Sequence, residues 1–243
     1  MNNKFSFDRF GQVLAKDWKN YFRNFGISLI VWSCIPVLGW ITTLILDFTL
    51  TMGSRISAIA ILVYSALIFV PSKVYGKANL SRDGVSFATL PATNAEKFFS
   101  MLIYCSILTP IFVGLGSWAV DTLLALLPFG GFEGFVMLPN NIHLGFQLAF
   151  IACSVLLFSS TFLLGNMIFK KRKAGKTIAW GMLILFVVTM ALQLCNFWEA
   201  FVRWECYGIK NPVLLPWLFD AFMLVLAIVI YIFTYRRIKN QKY

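Results

Sequence analysis

The chain has 243 residues, of which 59% are hydrophobic and 13% charged, with 25 Phe, 8 Trp and a mean hydropathy of +0.77. A soluble domain averages about 45–50% apolar and about 25% charged residues and rarely exposes large apolar patches, so an ordinary cytosolic enzyme and a disordered chain are excluded and lipid is the expected solvent. The net charge of +11 then becomes a question of which loops hold it.

Residues 5–23 come first. Phe7, Phe10, Leu14, Trp18, Tyr21 and Phe22 recur mostly at spacings of three and four, with Arg9, Lys16, Asp17, Lys19 and Arg23 largely between them. This pattern predicts an amphipathic helix, aromatic on one face and basic on the other, lying in the cytoplasmic interface of the bilayer. The plainer alternative is a helix packed on the bundle.

A spanning helix needs about 20 mostly apolar residues. Six stretches qualify: about 27–46, 53–70, 98–120, 144–169, 177–197 and 213–235. The second is the shortest. The first holds no charge, starts late and lacks a small-residue cleavage site, so it reads as a retained span and not as a signal peptide. Pro36 and Pro110 are expected to kink the first and third spans, and Gly114 and Gly116 to allow close packing there.

The basic residues set the orientation. Five precede the first span, four lie between the second and third, five between the fourth and fifth, and four follow the sixth, leaving only Arg55, Arg203 and Lys210 elsewhere. Lys and Arg accumulate on the cytoplasmic side. The expectation is a single all-α transmembrane domain of six helices preceded by the interfacial helix, with both termini in the cytoplasm. Topology accounts for the charge, so nucleic acid is not expected as a partner.

Residues 71–97 form the longest polar stretch, cytoplasmic by the charge pattern. Arg82, Asp83 and Gly84 punctuate a short helix whose apolar face is Val85, Phe87, Ala88 and Leu90; Pro91 stops it, and the following residues cap a helix that runs into the third span. Connections between helices usually take about 2–8 residues. A loop this long with local structure of its own predicts a docking surface, against the plainer reading of a solvated connector. The outer segments 128–143 and 198–212 are Gly-rich and aromatic-rich respectively, and the Trp and Tyr residues of the second suit an interfacial belt.

No catalytic or metal-binding constellation is legible. His143 stands alone. Cys34, Cys105, Cys153, Cys195 and Cys206 form no CxxC pair and read as small buried apolar residues. Ala174-Gly175-Lys176-Thr177 ends like a phosphate-binding loop, but Lys170 occupies the position where that loop needs glycine. Asp47, Asp121 and Asp220 all fall near outer ends of spans. Asp121 and Asp220 are candidates for a pathway or gate, Asp121 the better one, and the plain alternative is a polar residue facing the bundle.

Arg82-Asp83-Gly84, then Leu90-Pro91, then Lys97 at the start of a span, together with the six-span layout and the leading amphipathic helix, resemble the membrane subunits of bacterial ABC exporters of the type-2 permease class. The resemblance implies that two such subunits pair, as a homodimer or with a related partner, and that each docks on a separate nucleotide-binding ATPase. ATP would be hydrolysed there, with no cofactor on this chain. The segment holding Arg82, Asp83, Gly84, Phe87, Leu90 and Pro91 would be the coupling helix, and Phe7, Phe10, Leu14, Trp18 and Tyr21 would hold the leading helix to lipid. The low Cys usage and the basic inner loops fit a bacterial cytoplasmic membrane, and the aromatic spans suit an amphipathic or hydrophobic cargo. Two other classes stand beside this one. One is a membrane interaction protein without transport, such as a sensor, assembly factor or immunity subunit. The other is an intramembrane enzyme, which would need converging nucleophiles or acids that the spans lack.

Overall fold

A computed structural model describes residues 5–76, 78, 87, 89–127, 131–132, 144–194 and 214–240, with backbone only for 144–148, 185–194, 214–216 and 218–219. Six long helices make up the described chain: α1 (Phe7–Leu46), α2 (Met52–Val74), α3 (Asn94–Ala125), α4 (Leu144–Ile168), α5 (Lys173–Leu194) and α6 (Leu214–Lys239). Among the described residues there is no strand, only an isolated bridge between Leu50 and Phe132. Five helical segments are long and apolar enough to cross a membrane: α1, α2, α3, Ala149–Ile168 of α4 and Asp220–Lys239 of α6. The helix α5 takes the place of the expected fifth span.

The expected break between an interfacial helix and a first span is absent. α1 runs unbroken for 40 residues, through Pro36, which at about 1.5 Å per residue gives roughly 60 Å. It ends at Asp47, whose φ of 49° is left-handed, a conformation that a short polar side chain tolerates. The buried face also differs from the expected one. Val13, Asp17, Tyr21, Phe25 and Leu29 form a stripe at every fourth residue. Of the expected apolar face only Tyr21 is on it. Phe10 and Leu14 are half-buried at its edge, while Phe7 and Trp18 are exposed. The buried stripe is the one whose polar groups find partners: Asp17 accepts from Tyr75 and Ser100, and Tyr21 pairs with Thr109 of α3.

Thr51 caps α2 by accepting a hydrogen bond from Ser54 N–H. α3 opens with a capping box: Glu96 N–H donates to Thr93 Oγ1 at 3.3 Å and Thr93 N–H to Glu96 Oε2 at 2.8 Å. Within α3, Ile103–Leu108 widens into a π-helical stretch that ends two residues before Pro110. Proline brings no N–H and its ring crowds the carbonyl four residues back. The widened turn absorbs this by letting Thr109 N–H bond to Tyr104 C=O, five residues back. Pro110 thus produces a π-stretch in place of a simple kink.

α3 is the central element, touching α1, α2, α4 and α6, and α4 packs along α6. The core gathers Tyr21, Phe25, Leu67, Met101, Val113, Leu163 and Met167. Hydroxyls cross-link it: Ser106, Ser159 and Tyr231 form a triangle with edges of 2.7–2.9 Å joining α3, α4 and α6, and Tyr64 of α2 meets Ser154 of α4 at 2.7 Å.

Candidate functional site

The root of the 71–97 loop is where polar side chains converge. Asp17 of α1 is buried and accepts from Tyr75 Oη at 3.0 Å and Ser100 Oγ at 2.5 Å. One carboxylate oxygen thereby ties α1, the end of α2 and α3 together. Tyr104 Oη donates to Leu14 C=O at 2.8 Å, and Tyr21 Oη lies 3.0 Å from Thr109 Oγ1. Burial, then the neighbouring Asp17 carboxylate, pushes the Tyr75 phenol well above its ordinary range.

Two further side chains hold the same turn from the other side. Asn166 of α4 donates through Nδ2 to Tyr75 C=O at 3.2 Å, and Lys173 Nζ donates to Gly76 C=O. Gly76 is required here, because a Cβ would collide with the Ser72 carbonyl. Lys173 sits at the α4–α5 turn, ahead of the expected span at 177. Burial pulls its ammonium down to about 8. α4 and α5 cross closely at Gly165, where a Cβ would overlap the Thr177 side chain.

The other end of the loop is held by α3. Lys97 is buried, with Nζ donating to Phe87 C=O at 2.8 Å and lying 5.2 Å from the Phe87 ring centre. Glu96, fully buried, accepts Ser6 N–H at 2.9 Å and Arg9 Nη2 at 3.3 Å besides its capping bond, which fastens the start of α1 to the start of α3.

Of the residues the sequence singled out, Phe87 packs half-buried against the core, Leu90 is half-buried, Pro91 is exposed and Lys97 turns back onto the loop. Arg82, Asp83 and Gly84 lie outside the described residues. Asp121 is not at a watery edge: it is 2% exposed and bonds Arg55 through both oxygens, Nε–Oδ1 at 3.1 Å and Nη2–Oδ2 at 2.5 Å. The pair joins α2 to α3, and the Phe132 ring covers the guanidinium at 4.3 Å. Asp220 is also buried, and neither carboxylate oxygen has a hydrogen-bond partner among the described residues.

Sequence reasoning passed over Asp17, Glu96, Asn166 and Lys173, and treated Arg55 only as a stray outer charge. Arg55 and Asp121 did carry a signal: opposite charges at matching depths on consecutive spans. The chain matches no protein-family model, no curated protein and no solved structure.

Proposed function

We propose that this chain is the six-span membrane subunit of an ABC exporter of the type-2 permease class, with both termini in the bacterial cytoplasm. It works with a second permease subunit and a separate ATPase. The observation that carries the reading is the root of the 71–97 loop. Asp17, Lys97, Asn166 and Lys173 tie its two ends to α1, α3, α4 and α5. A push on such a loop reaches four helices at once. An ATPase that binds the loop differently in its open and closed states would thereby bias the bundle between two arrangements. Arg82 and Asp83 supply the polar contacts of the docking surface and Leu90 its apolar anchorage, while Phe87, expected to share that role, seats the loop on the core. The exposed Lys16, Lys19 and Arg23 of α1 favour an anionic lipid surface on the same side.

The reading is tested by purifying the tagged protein in mild detergent beside a variant with Arg82, Asp83 and Leu90 changed to Ala. A near-stoichiometric P-loop ATPase that is lost from the folded variant supports it. Absence of any ATPase across several detergents and nanodiscs rejects it.

A second reading, a membrane interaction or immunity protein without transport, is favoured by one feature. Asp121, the better pathway candidate, is neutralised by Arg55, as a structural clamp would be. Cargo-dependent stimulation of the partner's ATPase activity separates the two.

A further inference from the structure

Beyond Leu29, α1 buries only Thr43. Its C-terminal half stands off α2, and a cavity of about 300 Å³ lies between them. The walls are Ile35 and Gly39 from α1 and Ala58 and Leu62 from α2. Over the end next to the α1–α2 turn lies a built roof. Leu50 N–H donates to Gly131 C=O at 2.6 Å, Gly131 N–H donates to Thr43 Oγ1 at 3.3 Å, and Phe132 bridges to Leu50 and stacks on Arg55. Gly131 has no room for a side chain, since a Cβ would meet the Phe48 carbonyl. The mouth is on the side. Leu38 and Ile61 line the cavity and are 62% and 66% exposed, and both belong to helices apolar enough to span a membrane.

The chemistry of the lining selects the occupant. Its polar side chains are Ser54, Arg55 and Asp121. Arg55 and Asp121 neutralise each other through two hydrogen bonds, and Ser54 Oγ donates to Thr51 C=O at 2.7 Å. No net charge faces inward. An apolar cavity of about 150 Å³ holds a benzene ring, so this one takes a longer hydrocarbon. The roof closes the end beside the α1–α2 turn, and the mouth opens between two helices apolar enough to span a membrane.

We propose that the cavity holds one acyl chain of a phospholipid from the leaflet beside the α1–α2 turn, bound as a filler that completes the packing of α1 on α2. This rests on the membrane-spanning character of α1 and α2 and not on the permease reading.

The test uses the full chain reconstituted with phosphatidylcholine whose tail carries a photoreactive diazirine, followed by peptide mapping. Filling variants are Gly39→Phe and Ala58→Leu. A Cβ at Gly39 meets Leu50 Cδ1 at 3.8 Å, an ordinary contact, so the larger side chain grows into the cavity without displacing backbone. The expected result is label at Leu38 and Ile61 that outlasts dilution with unlabelled lipid, whereas label at exposed Val229 and Phe233 of α6 dilutes away. In either folded filling variant the label at Leu38 and Ile61 dilutes as it does on α6, because these exposed side chains then meet only boundary lipid. If all four positions dilute in parallel, the cavity carries only ordinary boundary lipid and the proposal fails. It fails equally if folded Gly39→Phe and Ala58→Leu proteins keep label at Leu38 and Ile61 that outlasts dilution.

Discussion

Arg55 Nε and Nη2 meet the two carboxylate oxygens of Asp121 at 3.1 and 2.5 Å, with both side chains almost wholly buried. Removing one partner of such a pair leaves a buried charge uncompensated and costs about 3–5 kcal/mol, whereas replacing both by apolar groups is often neutral. Asp121→Leu and Arg55→Leu should therefore each destabilise strongly. The double change Arg55→Leu with Asp121→Leu should recover most of the loss. Thermal unfolding in detergent, read as a double-mutant cycle, checks this.

The turn at Tyr75–Gly76 should loosen when its donors go. Lys173→Met and Asn166→Ala remove the two side chains that hold its carbonyls from α4 and α5. A hydrogen bond from a charged donor is worth about 1.5–3 kcal/mol and a neutral one about 0.5–1.5 kcal/mol. The expected outcome is faster hydrogen exchange at the C-terminal end of α2, greater in Lys173→Met than in Asn166→Ala. Protection in the hydroxyl triangle of Ser106, Ser159 and Tyr231 should stay intact.

Lys173 also predicts a pH dependence. Its folded pKa of about 8 lies below the ordinary 10.5, so between those values the unfolded chain binds more protons than the folded one. Stability then rises with pH across that window. Tyr75, raised by burial, opposes this only above its ordinary value of 10, where the unfolded chain ionises first. Between about pH 8 and 10 Lys173 should therefore raise the slope of unfolding temperature against pH, and Lys173→Met should lower that slope relative to the unsubstituted protein. An unchanged slope in the variant would assign the effect elsewhere.

Glu96 fastens the starts of α1 and α3 together. Glu96→Ala removes the N3 side chain of the capping box, and also the acceptor of Ser6 N–H and of Arg9 Nη2. Loss of amide protection at residues 6–10 should exceed the loss within α3 itself. Thr93→Ala, which leaves Glu96 in place to hold α1, should reverse that order.

The spans were legible because length and hydropathy are local properties. The expected stretches 98–120 and 144–169 fall within or nearly match α3 and α4. The continuity of α1 was not legible, because the charged residues of 5–23 and the apolar residues of 27–46 suggest two solvents, yet the backbone hydrogen-bond ladder is indifferent to which one surrounds it. Nor was its packed face, since Phe7 and Trp18 satisfy lipid as well as a core. Asp17 looked like one charge of a polar stripe. Its role depends on Tyr75 and Ser100, 58 and 83 residues away, and no periodicity reports such partners. Lys97 was legible as a basic residue at the head of a span, but its bond to the Phe87 carbonyl was not, since carbonyls are present at every position.

The docking loop is the central claim, and a photo-crosslinker placed at Leu90 in native membranes tests it most directly. Leu90 is half-buried beside the exposed Pro91, within reach of a docked partner. The account predicts one dominant adduct with a P-loop ATPase, absent when Arg82 and Asp83 are changed to Ala and unaffected by Gly39→Phe. Adducts with lipid alone, or with a soluble protein that binds no nucleotide, would contradict it.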